Sequence, residues 1–265
     1  MQNHEDNCLI SEENSVLSLA VLSAIGDRET QQDCFGYHLK SNEGIVVVCD
    51  GMGGHEGGAI ASNRAVASFL EDYEKTFPCN EPAELLRASA KRIDEQIAAL
   101  KNVYGEPMKA GSTCVAVILK EHRLYWCSVG DSRAYLLRKG EFVQLTQDQN
   151  YKMVLMEKIM AGLITEEEAA KELRRGEALI SYLGIGGCSL NDYSATPIEL
   201  IEGDRIILMS DGLYKLVPDE EIRRVAENFR NIGEALRALE TKTARAAKNQ
   251  DVARDNVTIA MISIK

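Results

Sequence analysis

The stretch GIVVVCDGMGGHEGGAIAS at residues 44–62 decides the fold, because an apolar run, an aspartate, a glycine-rich turn and a helix start follow one another there. Three further apolar runs adjoin an aspartate: YWCSVGD ends at Asp131, IILMSD ends at Asp211, and RDNVTIAMI carries Asp255 before its run. Runs of this length and composition predict buried strands. Each aspartate, including Asp50 in the first stretch, is therefore predicted to lie at an edge of the β-core.

The four aspartates predict a metal site. Carboxylates brought together from distant parts of a chain repel one another unless a cation lies between them. The chain contains only four histidines, too few for a histidine metal cluster. Oxygen ligands without a His/Cys cluster favour Mg²⁺ or Mn²⁺ over zinc. We therefore expect a divalent metal bound by carboxylates at the rim of the β-core.

Composition restricts the class of protein. A chain of 265 residues with a 45% apolar fraction suits one large globular domain or two small ones. A net charge of −11 argues against a surface for nucleic acid, which needs a basic face. The acidic N-terminus does not resemble a signal peptide, and no apolar stretch reaches the roughly 18 residues of a membrane helix.

The cysteines predict a reducing compartment. None of the seven forms a C-x-x-C pair, and Cys49, Cys114 and Cys127 lie inside predicted strands, where cysteine acts as a small hydrophobe. We therefore expect reduced thiols and a cytoplasmic protein.

The order of elements predicts an α+β fold. We expect a loose tail at residues 1–14 and one domain at 15–265, with antiparallel strands in the middle of the chain. Helices are predicted at about 59–73, 83–101, 219–228 and 232–247. A polar, helical insertion at about 147–195, with a capping box at Thr165 and Glu168, is interpreted as a flap over the site. Two strand groups with helix pairs fit helices covering two stacked sheets, although the spacing also allows other α+β layouts.

Two glycine-containing segments supply further candidates. GDRETQQD at 26–33 offers Arg28, whose guanidinium fork matches two phosphate oxygens, but taken alone this segment is more typical of a solvated hairpin. The glycines after Asp50 allow backbone carbonyls to approach a metal, and the turn matches neither a P-loop nor a Rossmann fingerprint. His55 is a candidate acid/base and equally a hydrogen-bonding loop residue.

The motifs together resemble one family. RETQQD, DGMGGHEGGAIAS, GST, SVGDSRAY, LMSDGL and DNVT, in this order from about Ala20 to Ile262, resemble the metal-dependent protein phosphatases of type 2C in their bacterial form. The resemblance implies a four-layer α-β-β-α sandwich, in which two central antiparallel sheets are flanked by helix pairs.

The resemblance also implies roles for the metal ligands. Asp50 resembles the carboxylate that bridges two metal ions, and Gly51 resembles the residue whose carbonyl binds one of them. Asp211 and Asp255 resemble ligands of the other ion. Asp131 resembles the residue of a third, weaker metal site. The implied cofactor is Mn²⁺ or Mg²⁺, two ions per site with room for a third.

Two further roles follow from the resemblance. Asp33 resembles an acid that holds metal-bound water and counts among the metal-site residues, and Arg28 resembles the phosphate-binding arginine. Two cations about 3.5–4 Å apart would lower the pKa of a shared water, which would attack phosphorus in line while Arg28 holds phosphoryl oxygens. The predicted catalytic residues are Arg28, Asp33, Asp50 and Asp211.

Several positions depart from the family pattern. Gln32 replaces a more usual glutamate, and Met52 stands where animal members carry a histidine proposed as the general acid. The flap sequence EALISYLG, with Tyr182, lacks a more usual arginine, and TQDQN lacks a histidine after its aspartate. These changes affect the expected substrate choice more than the expected chemistry.

The predicted function is hydrolysis of phosphoserine and phosphothreonine in proteins, which would reverse a bacterial Ser/Thr kinase. We expect phosphoprotein substrates, no nucleic acid or membrane partner, and a monomer. The alternatives are a phosphatase of one dedicated regulator, a catalytically silent sensor or scaffold on the same fold, and a metal nuclease. The retained aspartates argue against a silent protein, and the acidic composition argues against a nuclease.

Overall fold

The structure, a computed structural model, describes residues 7–54, 56–188 and 192–265. The strands are β1 (Asn7–Glu13), β2 (Leu17–Ala24), β3 (Asp33–Leu39), β4 (Glu43–Met52), β5 (Gly111–Ser112), β6 (Cys114–Lys120), β7 (Arg123–Val129), β8 (Arg133–Arg138), β9 (Glu141–Gln144), β10 (Asp192–Tyr193), β11 (Ile198–Glu199), β12 (Arg205–Met209) and β13 (Val257–Ile264). The helices are α1 (Gly57–Thr76), α2 (Pro82–Ala98), α3 (Tyr151–Met160), α4 (Glu166–Glu172), α5 (Asp211–Tyr214), α6 (Asp219–Asn228) and α7 (Ile232–Gln250), with a 3₁₀ turn at Leu173–Arg175.

The strands form two antiparallel sheets. One sheet has the order β1-β2-β13-β12-β8-β9, and the other has the order β10-β7-β6-β4-β3, with β11 paired to β7 and β5 paired to β4. Helices α1 and α2 cover the second sheet, and α6 and α7 cover the first. A third apolar cluster lies between the sheets. The predicted four-layer α-β-β-α sandwich is confirmed.

Strand β4 shows why its sequence is continuously apolar. Ile45 and Val47 pack in the cluster beneath α1 and α2, whereas Val46 and Val48 pack in the cluster between the sheets. Side chains alternate between the two faces of a strand, so a strand with a layer on each side needs apolar residues at every position. Such a run ends where the strand reaches the rim, and there Asp50 follows.

The helix predictions hold with small changes at the ends. The capping box that precedes α4 is present, because Thr165 Oγ1 accepts from the Glu168 backbone N–H and the Glu168 carboxylate accepts from that of Thr165. Helix α2 ends at Ala98, earlier than expected, and Lys101 then forms a β-bridge with Pro107. None of the helices in the described part of the chain has the length and apolar character that crossing a bilayer requires.

The expectation of a loose tail is wrong for residues 7–13. They form β1, which pairs along its whole length with β2, from Asn7 opposite Ala24 to Glu13 opposite Ser18. Backbone hydrogen bonds hold an edge strand of this kind, and they require no alternating apolar side chains. Cys8, Leu9 and Ile10 also pack, partly buried, against the apolar clusters, whereas the other residues of β1 are polar and resemble a tail.

Candidate functional site

The predicted site residues meet at one cavity of about 610 Å³. Six of the seven line it, namely Arg28, Asp50, Gly51, Asp131, Asp211 and Asp255. The seventh, Asp33, lies behind the wall of the cavity and is 5% exposed. Residues separated by more than 200 positions along the chain therefore surround one space, as the metal-site prediction requires.

Strand β4 delivers Asp50 to this cavity. The Asp50 backbone N–H donates to Thr113 Oγ1 at 3.0 Å, and its carbonyl accepts from the Thr113 N–H at 2.8 Å. Gly51 N–H donates to the Gln32 carbonyl at 3.0 Å. A Cβ on Gly51 would lie 2.2 Å from the Gly58 carbonyl oxygen, so only glycine allows this approach.

Asp33 is the direct neighbour of Asp50 across the β3–β4 pair. Ser210 Oγ donates to Asp33 Oδ2 at 2.7 Å and itself accepts from the Thr258 N–H at 2.9 Å. The buried Oδ1 atom of Asp33 has no hydrogen-bond partner within residues 7–54, 56–188 and 192–265. Buried polar atoms are rarely unpaired in proteins, and one beside a polar cavity indicates a place for a water molecule or an ion.

The turn between β7 and β8 carries Asp131. Its backbone carbonyl accepts from the Tyr214 hydroxyl at 3.0 Å. The hydroxyl oxygens of the adjacent Ser132 and of Thr113 are 2.7 Å apart, so Thr113 links the turn of Asp131 to the backbone of Asp50. These hydrogen bonds hold the segments that carry Asp50, Asp131 and Tyr214 together at the cavity.

Asp211 begins the short helix α5, directly after β12. Lys215 lies one helical turn further on, and its Nζ contacts Asp211 Oδ2. Lys215 also lines the cavity. It did not emerge from the sequence, although a lysine four residues after an aspartate in a helix is a recognisable pairing signal.

Asp255 lies just before β13 and holds Arg28. The Arg28 Nη2 and Asp255 Oδ2 atoms are 2.7 Å apart, with the two side chains 57% and 42% exposed. The neighbouring Asn256 fixes the Arg28 loop, because its Oδ1 accepts from the Gln32 N–H at 2.8 Å and its Nδ2 donates to the Ile25 carbonyl at 2.8 Å. The segment 26–33 is therefore held by hydrogen bonds and lines the site, and it is not a solvated hairpin.

The charges at the site repel one another. Burial is the largest cause of a raised pKa for Asp33, which reaches about 7, and the carboxylates of Asp211 and Asp255 add to it. Burial likewise raises the pKa of Asp50 well above its usual range, with Asp33 and Asp211 next in effect. Burial and Asp211 raise the pKa of Asp131 to about 6. Crowded carboxyls of this kind favour either protonation or a cation among them.

The donor set fits a hard divalent cation. Within residues 7–54, 56–188 and 192–265, no three acidic, histidine or cysteine side chains already form a compact ligand cluster. Asp50, Asp131, Asp211 and Asp255 nevertheless line the cavity, and Mg²⁺ and Mn²⁺ prefer carboxylate oxygens of this kind. The unpartnered Asp33 Oδ1 and the raised pKa values of Asp33, Asp50 and Asp131 also indicate a place for a cation.

The flap segment reaches the site. Glu177 and Leu179 line the same cavity as the aspartates. Leu183 pairs with Ser112 through backbone hydrogen bonds of 3.0 and 2.8 Å, and Ser112 is in turn the partner of Gly51 in the β4–β5 pair. His55, the candidate acid/base, lies outside the described residues.

Sequence reasoning missed the residues that support the aspartates. They are Thr113, Ser132, Ser210, Asn256 and Lys215. The first four lie beside an aspartate or within a quoted motif. The sequence therefore showed their positions but not their hydrogen-bond partners.

Comparison with known proteins agrees with this geometry. The family described as "Protein phosphatase 2C" matches residues 22–250. The chain is 30% identical over 229 residues to a "Serine/threonine phosphatase stp" of Listeria welshimeri, which covers 85% of this chain and 86% of that protein. The structure of the S. agalactiae serine/threonine phosphatase superposes with a TM-score of 0.77 at 26% identity, covering 94% of this chain and 100% of the other. The catalytic domain of the phosphatase PstP in complex with two manganese ions superposes with a TM-score of 0.75 at 28% identity, covering 94% of this chain and 98% of the other.

Fold, site geometry and similarity over most of the chain all lead to one assignment. The chain belongs to the protein phosphatase 2C family.

Proposed function

We propose that this chain is a metal-dependent phosphatase that hydrolyses phosphoserine and phosphothreonine in proteins. The observation that carries the proposal is the meeting of Arg28 with four aspartates from distant segments around one cavity. Members of the family with this chemistry include the serine/threonine phosphatases to which the chain is similar.

The ligand roles are those that the resemblance to the family implies, and the meeting of these residues at one cavity supports them. Asp50 would bridge two ions with the help of the Gly51 carbonyl, and Asp211 and Asp255 would complete the ligand set. When bound, two divalent ions such as Mn²⁺ supply a water of lowered pKa and charge that stabilises the phosphoryl oxygens. A third, weaker ion beside Asp131 would have to share its place with the Lys215 ammonium, which contacts Asp211.

Side chains of the protein would bind the phosphate and position water. Arg28 is more than half exposed, so its guanidinium can leave Asp255 and bind two oxygens of an incoming phosphate. Asp33 offers its unpartnered Oδ1 as a hydrogen-bond acceptor for water behind Asp50. Met52 cannot protonate a leaving group, and His55 stays a hypothesis for that step.

The biological setting is part of the proposal. A phosphatase of phosphoserine and phosphothreonine would reverse a bacterial Ser/Thr kinase, and a dedicated regulator is the alternative substrate. We infer a cytoplasmic monomer in which one domain, beginning at β1, carries the flap at 147–195 as an insertion. The compact cluster between the two sheets supports a single domain.

The test is phosphate release from p-nitrophenyl phosphate and from a phosphothreonine peptide, with Mn²⁺, with Mg²⁺ and with EDTA. Asp50→Asn and Asp211→Asn should reduce turnover to the level of the EDTA-treated enzyme, because each removes a ligand charge. Asp251→Asn, an exposed aspartate at the end of α7, is the matched control and should keep full activity. Near-full activity of either site variant would refute the two-metal mechanism, and a folded protein without turnover under any metal would favour the scaffold.

A further inference from the structure

Lys215 occupies an unusual place in the site. The Lys215 backbone N–H donates to the Asp211 carbonyl at 3.1 Å, which closes the turn of α5 and places both side chains on the same face. The Lys215 side chain is 39% exposed and that of Asp211 is 15% exposed, so the ion pair is partly withdrawn from solvent. Lys215 lines the cavity, and its Nζ contacts a carboxylate oxygen of Asp211, which lines the same cavity.

The Lys215 ammonium is surrounded by carboxyls. Burial lowers the pKa of Lys215, but Asp211, Asp131 and Glu177 of the flap outweigh that effect and raise the pKa overall. The same charge lowers the pKa of Asp131, against burial and Asp211, which raise it. Glu177 also pairs with Lys152, so Lys215 is not the only cation that acts on Glu177. Lys215 contacts Asp211 and lines one cavity together with Asp131, Asp211 and Glu177, so its charge lies among these carboxyls.

The two cations of the cavity serve different carboxylates. Among the described lining residues, Arg28 and Lys215 are the positively charged side chains. Arg28 pairs with Asp255, and Lys215 pairs with Asp211 and acts on Asp131. Asp131 is 4% exposed and would be a costly buried charge without a cation nearby.

We propose that the Lys215 ammonium is a built-in cation between Asp131 and Asp211, and that it limits the site to two divalent ions. The inference rests on the proposed function, since it takes Asp211 as a metal ligand. A divalent ion at the same place would meet the like charge of the ammonium and compete with it for the same oxygens. Because the ammonium is tethered to the residue that follows α5, its local concentration at the site does not depend on the metal concentration.

The experiment counts bound Mn²⁺ by equilibrium dialysis with elemental analysis, and by calorimetric titration, without reference to activity. Wild type and Lys215→Arg, which keeps the charge, should bind two ions. Lys215→Met, which keeps the apolar stem, should bind a third ion about tenfold or more tightly than wild type, since a nearby charge shifts such equilibria by about one logarithmic unit or more. Lys215→Gln repeats the test if Lys215→Met does not fold.

Lys75→Met is the matched control. Lys75 pairs with Glu71 at 2.7 Å in the same i,i+4 arrangement, on α1 and away from the cavity, so its loss should leave two ions. A wild type that already binds three ions, or a folded Lys215→Met variant that binds two, overturns this inference alone. A wild type that binds no Mn²⁺ overturns the proposed function and this inference with it.

Discussion

Asp94 holds the glycine-rich end of the flap, and Asp94→Asn is expected to release it. The Asp94 side chain lies on α2 and is 1% exposed. Its Oδ1 accepts from the backbone N–H groups of Gly184 and Gly186 at 2.8 and 3.1 Å. Its Oδ2 accepts from those of Gly187 and Cys188 at 2.6 and 2.9 Å. One carboxylate therefore satisfies four donors of the loop that leads to the β-bridge with Ser112.

The magnitude follows from the bonds lost. An asparagine keeps one acceptor oxygen and places an NH₂ group, itself a donor, against two of the four N–H groups. A hydrogen bond to a charged group contributes about 1.5–3 kcal/mol, so two lost bonds give an upper range of about 3–6 kcal/mol. The bonds share one carboxylate and are not independent, so we expect a loss of about 3 kcal/mol in the free energy of unfolding.

The loss of unfolding free energy in Asp94→Asn should depend on pH. Burial raises the pKa of Asp94, but the backbone N–H groups, that of Cys188 first, outweigh it and hold the pKa below its usual range. A carboxyl with a lowered folded-state pKa stabilises the protein fully above its unfolded pKa of about 4 and loses that effect as the pH falls through the folded pKa. The difference between wild type and Asp94→Asn should thus be complete at pH 7 and shrink in acid.

The assay is urea unfolding at several pH values, with hydrogen exchange of residues 179–188. Asp251→Asn removes the same charge at an exposed position and should leave stability and exchange unchanged. Exchange of the loop should accelerate even if the loop opens locally and most of the global stability survives. A loss below about 1 kcal/mol together with unchanged loop exchange would show that the four bonds do not hold the flap.

Two further predictions concern the exposed Arg28 and the half-buried Arg138. Arg28→Ala should mainly raise KM for phosphopeptide, because it removes ground-state binding of phosphate; steady-state kinetics test this, and unchanged KM and kcat would exclude Arg28 from the site. Arg138→Ala should lower the free energy of unfolding by about 2 kcal/mol, because it leaves Asp204 without the bonds of 2.9 and 2.6 Å that Arg138 donates. The expected loss is below the roughly 3–5 kcal/mol of a fully buried pair, since the Arg138 side chain is 33% exposed, and a thermal or urea titration that shows none would contradict it.

Much of the architecture is visible in local patterns. The run at Ile45–Val48 predicts a strand buried on both faces, and the aspartates after such runs predict a carboxylate rim, because an apolar run can end only where the chain reaches a polar surface. The Thr165–Glu168 capping box was predictable since its bonds join residues three apart. Strand β1 was not predictable, because its pairing with β2 and the packing of Cys8, Leu9 and Ile10 against the apolar clusters depend on the tertiary structure.

The sequence by itself determined the strands, the helices, the carboxylates and the family motifs, since these depend on residue type and short spacing. Only the tertiary structure decided which groups meet: Arg28 with Asp255, 227 positions apart, and Asp94 with a loop 90 positions away. Such contacts arise from strand register and helix packing, which sum many weak interactions over the whole chain. The placement of Lys215 beside two carboxylates belongs to the same class, because a pairing signal within one helix says nothing of the Asp131 turn that packs against it.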